Sequence, residues 1–124
     1  MEHIVAVETR VLQDEDPSRL LSQHELAKMN YGIGESQRGI ELMEHVVAVE
    51  ARVLQDDNPE QLLSQGWLAV MYYESGELQR GVELMEHVVA VEARVLQNDD
   101  SNRLLSIKFL TKWYEELGLS LIHI

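Results

Sequence analysis

Apolar and polar positions follow one another along the chain with a helical rhythm, and the rhythm itself recurs every 42 residues. The thirteen residues Met1 to Gln13 return, slightly changed, at Met43 to Gln55, and that copy returns unaltered at Met85 to Gln97. Between the periods 1–42 and 43–84, 28 of 42 positions are identical, and 85–124 forms a third, shorter period. A fixed period of this size marks an array in which each unit is one supersecondary element. Within a unit, Glu41, Glu44, His45, Ala48, Arg52 and Gln55 form one largely polar helical stripe. Ile40, Leu42, Met43, Val46, Val47, Val49, Val53 and Leu54 cover most of the rest, so this helix must be packed on more than one side.

Breakers divide each period into two helices. Asp16-Pro17, Asn58-Pro59 and Asp100-Ser101 each place a capping side chain ahead of a first helical residue, and Gln61 stands where a capping box wants a glutamine. Gly34, Gly76 and Gly118 fall some eighteen residues later, where a left-handed residue ends a helix. The expected helices are 1–13, 17–33, 36–55, 59–75, 78–97 and 101–117, one helical array over 1–124. Because 42 is six heptads a long coiled coil is a rival, but the internal glycines and prolines break a continuous rod. Antiparallel helix pairs stacked on one another explain both the breakers and the broad apolar faces.

Leu68-Ala69 with Tyr72, then Gly76, Gly81 and Val88, resemble the tetratricopeptide repeat; Leu26-Ala27 with Gly34, Gly39 and Val46, and Leu110 with Tyr114 and Gly118, follow the same pattern. Asn30 and Thr111 depart from it. The 42-residue period with a long second helix is similar to the kinesin-light-chain-like subclass, and the wording Leu-Met-Glu-His-Val-Val-Ala-Val-Glu resembles arrays of fungal immune-receptor-like (NB-ARC) proteins. The resemblance implies an all-α, right-handed α-solenoid of about two and a half repeats, a protein-interaction scaffold whose first helices line a concave groove for a partner peptide.

The copies differ where such a groove would lie. From Glu35 to Gln55 and Glu77 to Gln97 only Ser36/Leu78 and Ile40/Val82 differ, whereas seven of 16 positions differ between Arg19–Gly34 and Gln61–Gly76. On the first helices Leu26 and Leu68 belong to the packing side. Another face carries His24, Lys28 and Tyr31, then Gly66, Val70 and Tyr73 with Trp67 at its edge, then Lys108, Lys112 and Glu115. Every lysine of the chain is on this face. The expected partner is therefore a protein or peptide carrying acidic residues beside a bulky one. Leu105 and Phe109 stand where a carboxylate clamp of the family would place charge, so that ligand does not carry over.

Charge narrows the picture further. With 22 acidic against 10 basic residues and a formal charge of −12, the chain repels phosphate backbones and anionic lipid, so neither nucleic acid nor membrane is an expected partner. No cysteine is present, no apolar run spans a bilayer and the start lacks a basic signal flank, so the expected location is cytoplasmic. His3, His45 and His87 repeat beside glutamates, but successive copies lie too far apart to share a metal, and no metal, cofactor or enzymatic activity is expected. The turn at Tyr31-Gly32-Ile33-Gly34 lacks the strand of a phosphate loop, and the acidic runs at Asp14 and Asp56 lack the glycine of a calcium loop. Glu8, Glu50 and Glu92 fall mid-face among apolar residues, where a buried carboxylate would have a raised pKa and could mark a site; the reading favoured is that the second helix outruns its packed region there, so that the glutamate reaches the linker or pairs with an arginine. The off-pattern apolar tail after Gly118 and a length two short of three periods support an alternative function, a structural module whose copies stack head to tail into oligomers or filaments.

Overall fold

The computed structural model describes residues 16–119. The helix expected at 1–13, with Glu8 and His3, and the tail beyond Leu119 lie outside the described residues. Five α-helices follow one another: α1 (Pro17–Gly32), α2 (Ser36–Val53), α3 (Pro59–Glu74), α4 (Leu78–Val95) and α5 (Ser101–Leu117).

Local chemistry sets their ends. The Asp16 carboxylate accepts from the backbone N–H of Ser18 at 2.8 Å, Asn58 from Glu60 at 2.9 Å, and Asp100 from Asn102 at 2.9 Å, each satisfying a donor that the first turn cannot. Gln61 closes no capping box: its side chain is buried and its Oε1 accepts no hydrogen bond. At the other ends Gly34, Gly76 and Gly118 adopt φ of 92°, 100° and 72°. The following N–H groups of Glu35, Glu77 and Leu119 then reach back to the carbonyls of Asn30, Tyr72 and Tyr114 at 2.8, 2.9 and 2.8 Å. Helices α2 and α4 stop two residues before the expected Gln55 and Gln97, because Leu54 and Leu96 turn extended (ψ 159° and 154°).

Contacts divide the chain after Gln55. In the first unit α1 lies against α2, with Ala27, Gly39, Ile40, Met43 and Val46 buried. In the second unit α3 packs on α4, and α5 packs on α4 while also touching α3. Its core gathers Ala69, Val70, Val82, Met85, Val88, Leu110, Trp113 and Tyr114. Beside it Arg80 holds Tyr72, with its guanidinium 4.2 Å above the ring and a 2.9 Å hydrogen bond donated to the hydroxyl. The packing side assigned to Leu68 is buried at 4% exposure, while its counterpart Leu26 is 48% exposed. Periodicity fixes a face, not what covers it.

Each helix pair has one point of closest approach, and a glycine occupies it. A methyl group on Gly81 would stand 2.9 Å from the Ala69 carbonyl oxygen and 2.9 Å from both the backbone nitrogen and Cβ of Tyr73. Gly39 meets Ala27 and Tyr31 in the same way, at 2.8 to 2.9 Å. Two of these atoms are backbone, so neither can swing aside. Gly81→Ala is therefore expected to destabilise the protein by about 1–3 kcal/mol through overpacking. Gly66→Ala, which meets nothing within 4 Å inside α3, should instead stabilise it by about 0.5–1 kcal/mol. Urea unfolding of the two variants measures both, and equal midpoints would contradict the close approach.

Candidate functional site

The second unit carries a concave apolar cleft of about 150 Å³. Leu63, Gly66, Trp67 and Val70 of α3 form one wall and Leu105 and Phe109 of α5 the other, with buried Met85 and Glu92 of α4 between them. The walls stay together because aromatic rings join the two helices deeper along their length. Tyr73 of α3 stacks on Trp113 of α5 with centroids 4.3 Å apart and planes 8° from parallel. Phe109 tilts against the same indole at 5.8 Å. The Tyr73 hydroxyl donates to Glu116 at 2.8 Å; burial first, then this hydrogen bond, pushes the phenol above its ordinary pKa. Tyr114, buried on the α4 side, donates to Glu86; burial, then that carboxylate, raises its pKa to about 12.

The structure distributes the expected binding residues unevenly. Trp67, 37% exposed, and Val70 line the cleft. Tyr73 sits deeper and is committed to the stack on Trp113. Lys108, Lys112 and Glu115 are exposed on α5 but do not line the cleft. In the first unit Lys28 and Tyr31 are half-buried on α1, with Lys28 ion-paired to Glu25 at 3.6 Å. His24 overturns its expected place on an open face: at 3% exposure it is a packed residue, and burial, then the nearby Lys28, lowers its pKa against the pull of Glu25. Leu63 was not expected in the site, nor Trp113 behind it, and Leu105 and Phe109 were noted only as places where a family clamp would want charge. A signal existed, since Leu63 and Leu105, and Trp67 and Phe109, are pairs of large apolar residues one 42-residue period apart.

The repeated glutamate also corrects an expectation. Glu50 and Glu92 are not carried beyond the packed region; both are buried, at 4% and 2% exposure. Burial raises the pKa of Glu92 most; the Ser106 hydroxyl and Arg103 oppose the shift while Asp100 adds to it. One of its carboxylate oxygens, Oε1, has no hydrogen-bonding partner. Among the described residues no three potential ligands cluster to hold a metal ion, and no helix is long and apolar enough to cross a membrane. His45 is half-buried and His87 exposed.

No protein-family model and no curated protein matches the sequence. Solved structures do. A crystal structure of a kinesin-light-chain-like protein from Podospora anserina with nearly identical tetratricopeptide-like repeats is 42% identical and superimposes with a TM-score of 0.81, over 93% of this chain and 55% of that one. A point variant of the same protein matches at 42% identity and a TM-score of 0.82, over 93% of this chain and 54% of that one. The chain thus spans about half the length of the structures it matches. Paired helices with glycine at their crossing define an all-α helical-repeat protein of the α-solenoid class. Its units are tetratricopeptide repeats of the kinesin-light-chain-like kind. Such repeats are a non-catalytic scaffold class that generally mediates protein–protein contacts.

Glu92 supplies a pH test. Its folded-state pKa lies above the ordinary 4.5, so as pH rises past that value the unfolded chain ionises first and stability is lost, whereas below it both states are protonated and nothing is lost. Glu92→Gln keeps the shape without the charge. Its melting temperature should exceed that of the wild type at pH 7 and converge with it near pH 4; a constant difference at both pH values would contradict a raised pKa.

Proposed function

We propose that the protein binds an extended or helical segment of a partner protein on the first-helix face, anchored in the α3–α5 cleft of the second unit. The observation that carries this reading is the set of large apolar side chains left at the surface on one side of the two helices. Leu63 is 41% exposed, Leu105 50%, and Trp67 stands between them, although the core beneath is closed. A central aromatic residue in a concave site, ringed by apolar neighbours that exclude water, is a usual anchor of a protein interface. Lys108 and Lys112, exposed one helical turn apart on α5, favour acidic residues on the flanks of the segment.

A peptide-display selection against the protein tests this. Selected segments should carry one long side chain with acidic neighbours, and Trp67→Ala with Leu105→Ala should weaken their binding at least tenfold (about 1.4 kcal/mol or more). Because both side chains are partly exposed, the unfolding midpoint of that variant should stay close to that of the wild type. Unchanged affinity in the double variant would remove the cleft from the binding site. Tyr73 is left intact in this test, since its replacement would break the stack that holds the walls.

Head-to-tail assembly of copies is a second reading. It draws on the exposed Leu104, Leu117 and Leu119 at α5, and sedimentation equilibrium across a wide dilution range distinguishes it by a mass that rises with concentration and ignores the cleft substitutions.

A further inference from the structure

The cleft is apolar on its walls, yet a carboxylate is built into it. Glu92 lines it while only 2% exposed, and apolar Met85, Val70 and Leu62 line the same space. Burying a carboxylate among such neighbours is costly unless its oxygens are satisfied. Little of that need is met inside the chain: Ser106 stands near the carboxylate but its hydroxyl donates to the Asn102 carbonyl at 3.0 Å, Arg103 acts on it through its charge, and Oε1 keeps no hydrogen-bonding partner. An occupant that completes this site must therefore bring a hydrogen-bond donor to the carboxylate and an apolar stem to the walls.

We infer that the cleft receives a lysine side chain of the partner segment, its ammonium directed to Glu92 and its four-carbon stem lying along Trp67, Leu63, Leu105 and Phe109. A lysine combines an apolar stem with a compact charged end. The aromatic faces of Trp67 and Phe109 add attraction for a cation, and the formal charge of −12 draws one toward the surface. Lys108 and Lys112 do not oppose it from within, since both are exposed outside the cleft lining and are free to meet acidic neighbours of the entering lysine. The inference rests on the cleft being the binding site and specifies the chemistry it selects.

n-Butylammonium, which reproduces the lysine side chain, tests it by NMR titration at pH 8, with n-butanol and butyrate as probes of equal length. Butylammonium should shift the Trp67 and Phe109 ring resonances and bind at least tenfold more tightly than butanol or butyrate. Glu92→Gln should abolish that preference, while Glu83→Gln, which removes the same charge from an exposed position on α4, should preserve it. If butanol binds as well as butylammonium, or butyrate binds better, the lysine inference fails while the cleft remains an apolar binding site. If none of the three probes shifts the Trp67 resonances, both the inference and the cleft as a binding site fail. The comparison of the three probes on the wild type decides the matter even if Glu92→Gln does not fold.

Discussion

The crossing of Gly81 against Ala69 is the constraint on which the second unit depends. A carbonyl oxygen 2.9 Å from where a Cβ would stand means that α3 and α4 touch backbone to backbone, with no room for a side chain between them. The same approach places the backbone of Tyr73 against Gly81. The tyrosine that begins at this crossing ends on Trp113 of α5. One glycine thus connects helix packing, the aromatic stack and the spacing of the cleft walls.

This coupling explains how a repeat with nearly invariant second helices can carry a particular surface. The second helices change little between copies because they supply the glycine, the valine and methionine core and the buried glutamate. The first helices are bound to the scaffold by Ala27 or Ala69 and by their capped ends, leaving the other faces to vary. At one position the face carries His24, Gly66 and Lys108: a packed ring, an open wall and an exposed cation. Gly66 matters to the cleft through absence of bulk, which lets Trp67 and Val70 define the wall.

Much of the fold was legible in the sequence because it rests on local chemistry. Asp16, Asn58 and Asp100 cap in any context, and Gly34 and Gly76 end helices because a left-handed φ disfavours other residues. The site was less legible because its decisive contacts join residues far apart in sequence. Tyr73 and Trp113 are 40 positions apart on separate helices, and no periodicity says that two aromatic rings will meet face to face. Glu92 misled for another reason: a carboxylate on an apolar face looks like the end of packing, whereas the chain buries it beside Ser106 and Arg103. His24 and Leu26 show the same limit from opposite sides. A wheel orders residues around a helix, but burial depends on what lies against each direction.

The most direct test of the link from crossing to site is the NMR spectrum of Gly81→Ala. Stacking under Tyr73 holds the Trp113 ring protons upfield in the wild type. If the glycine crossing sets the position of Tyr73, the variant remains helical but its Trp113 resonances move downfield toward those of an unstacked indole. A variant that is folded, with Trp113 resonances unchanged, would show that the cleft walls are positioned independently of the crossing and would contradict the account.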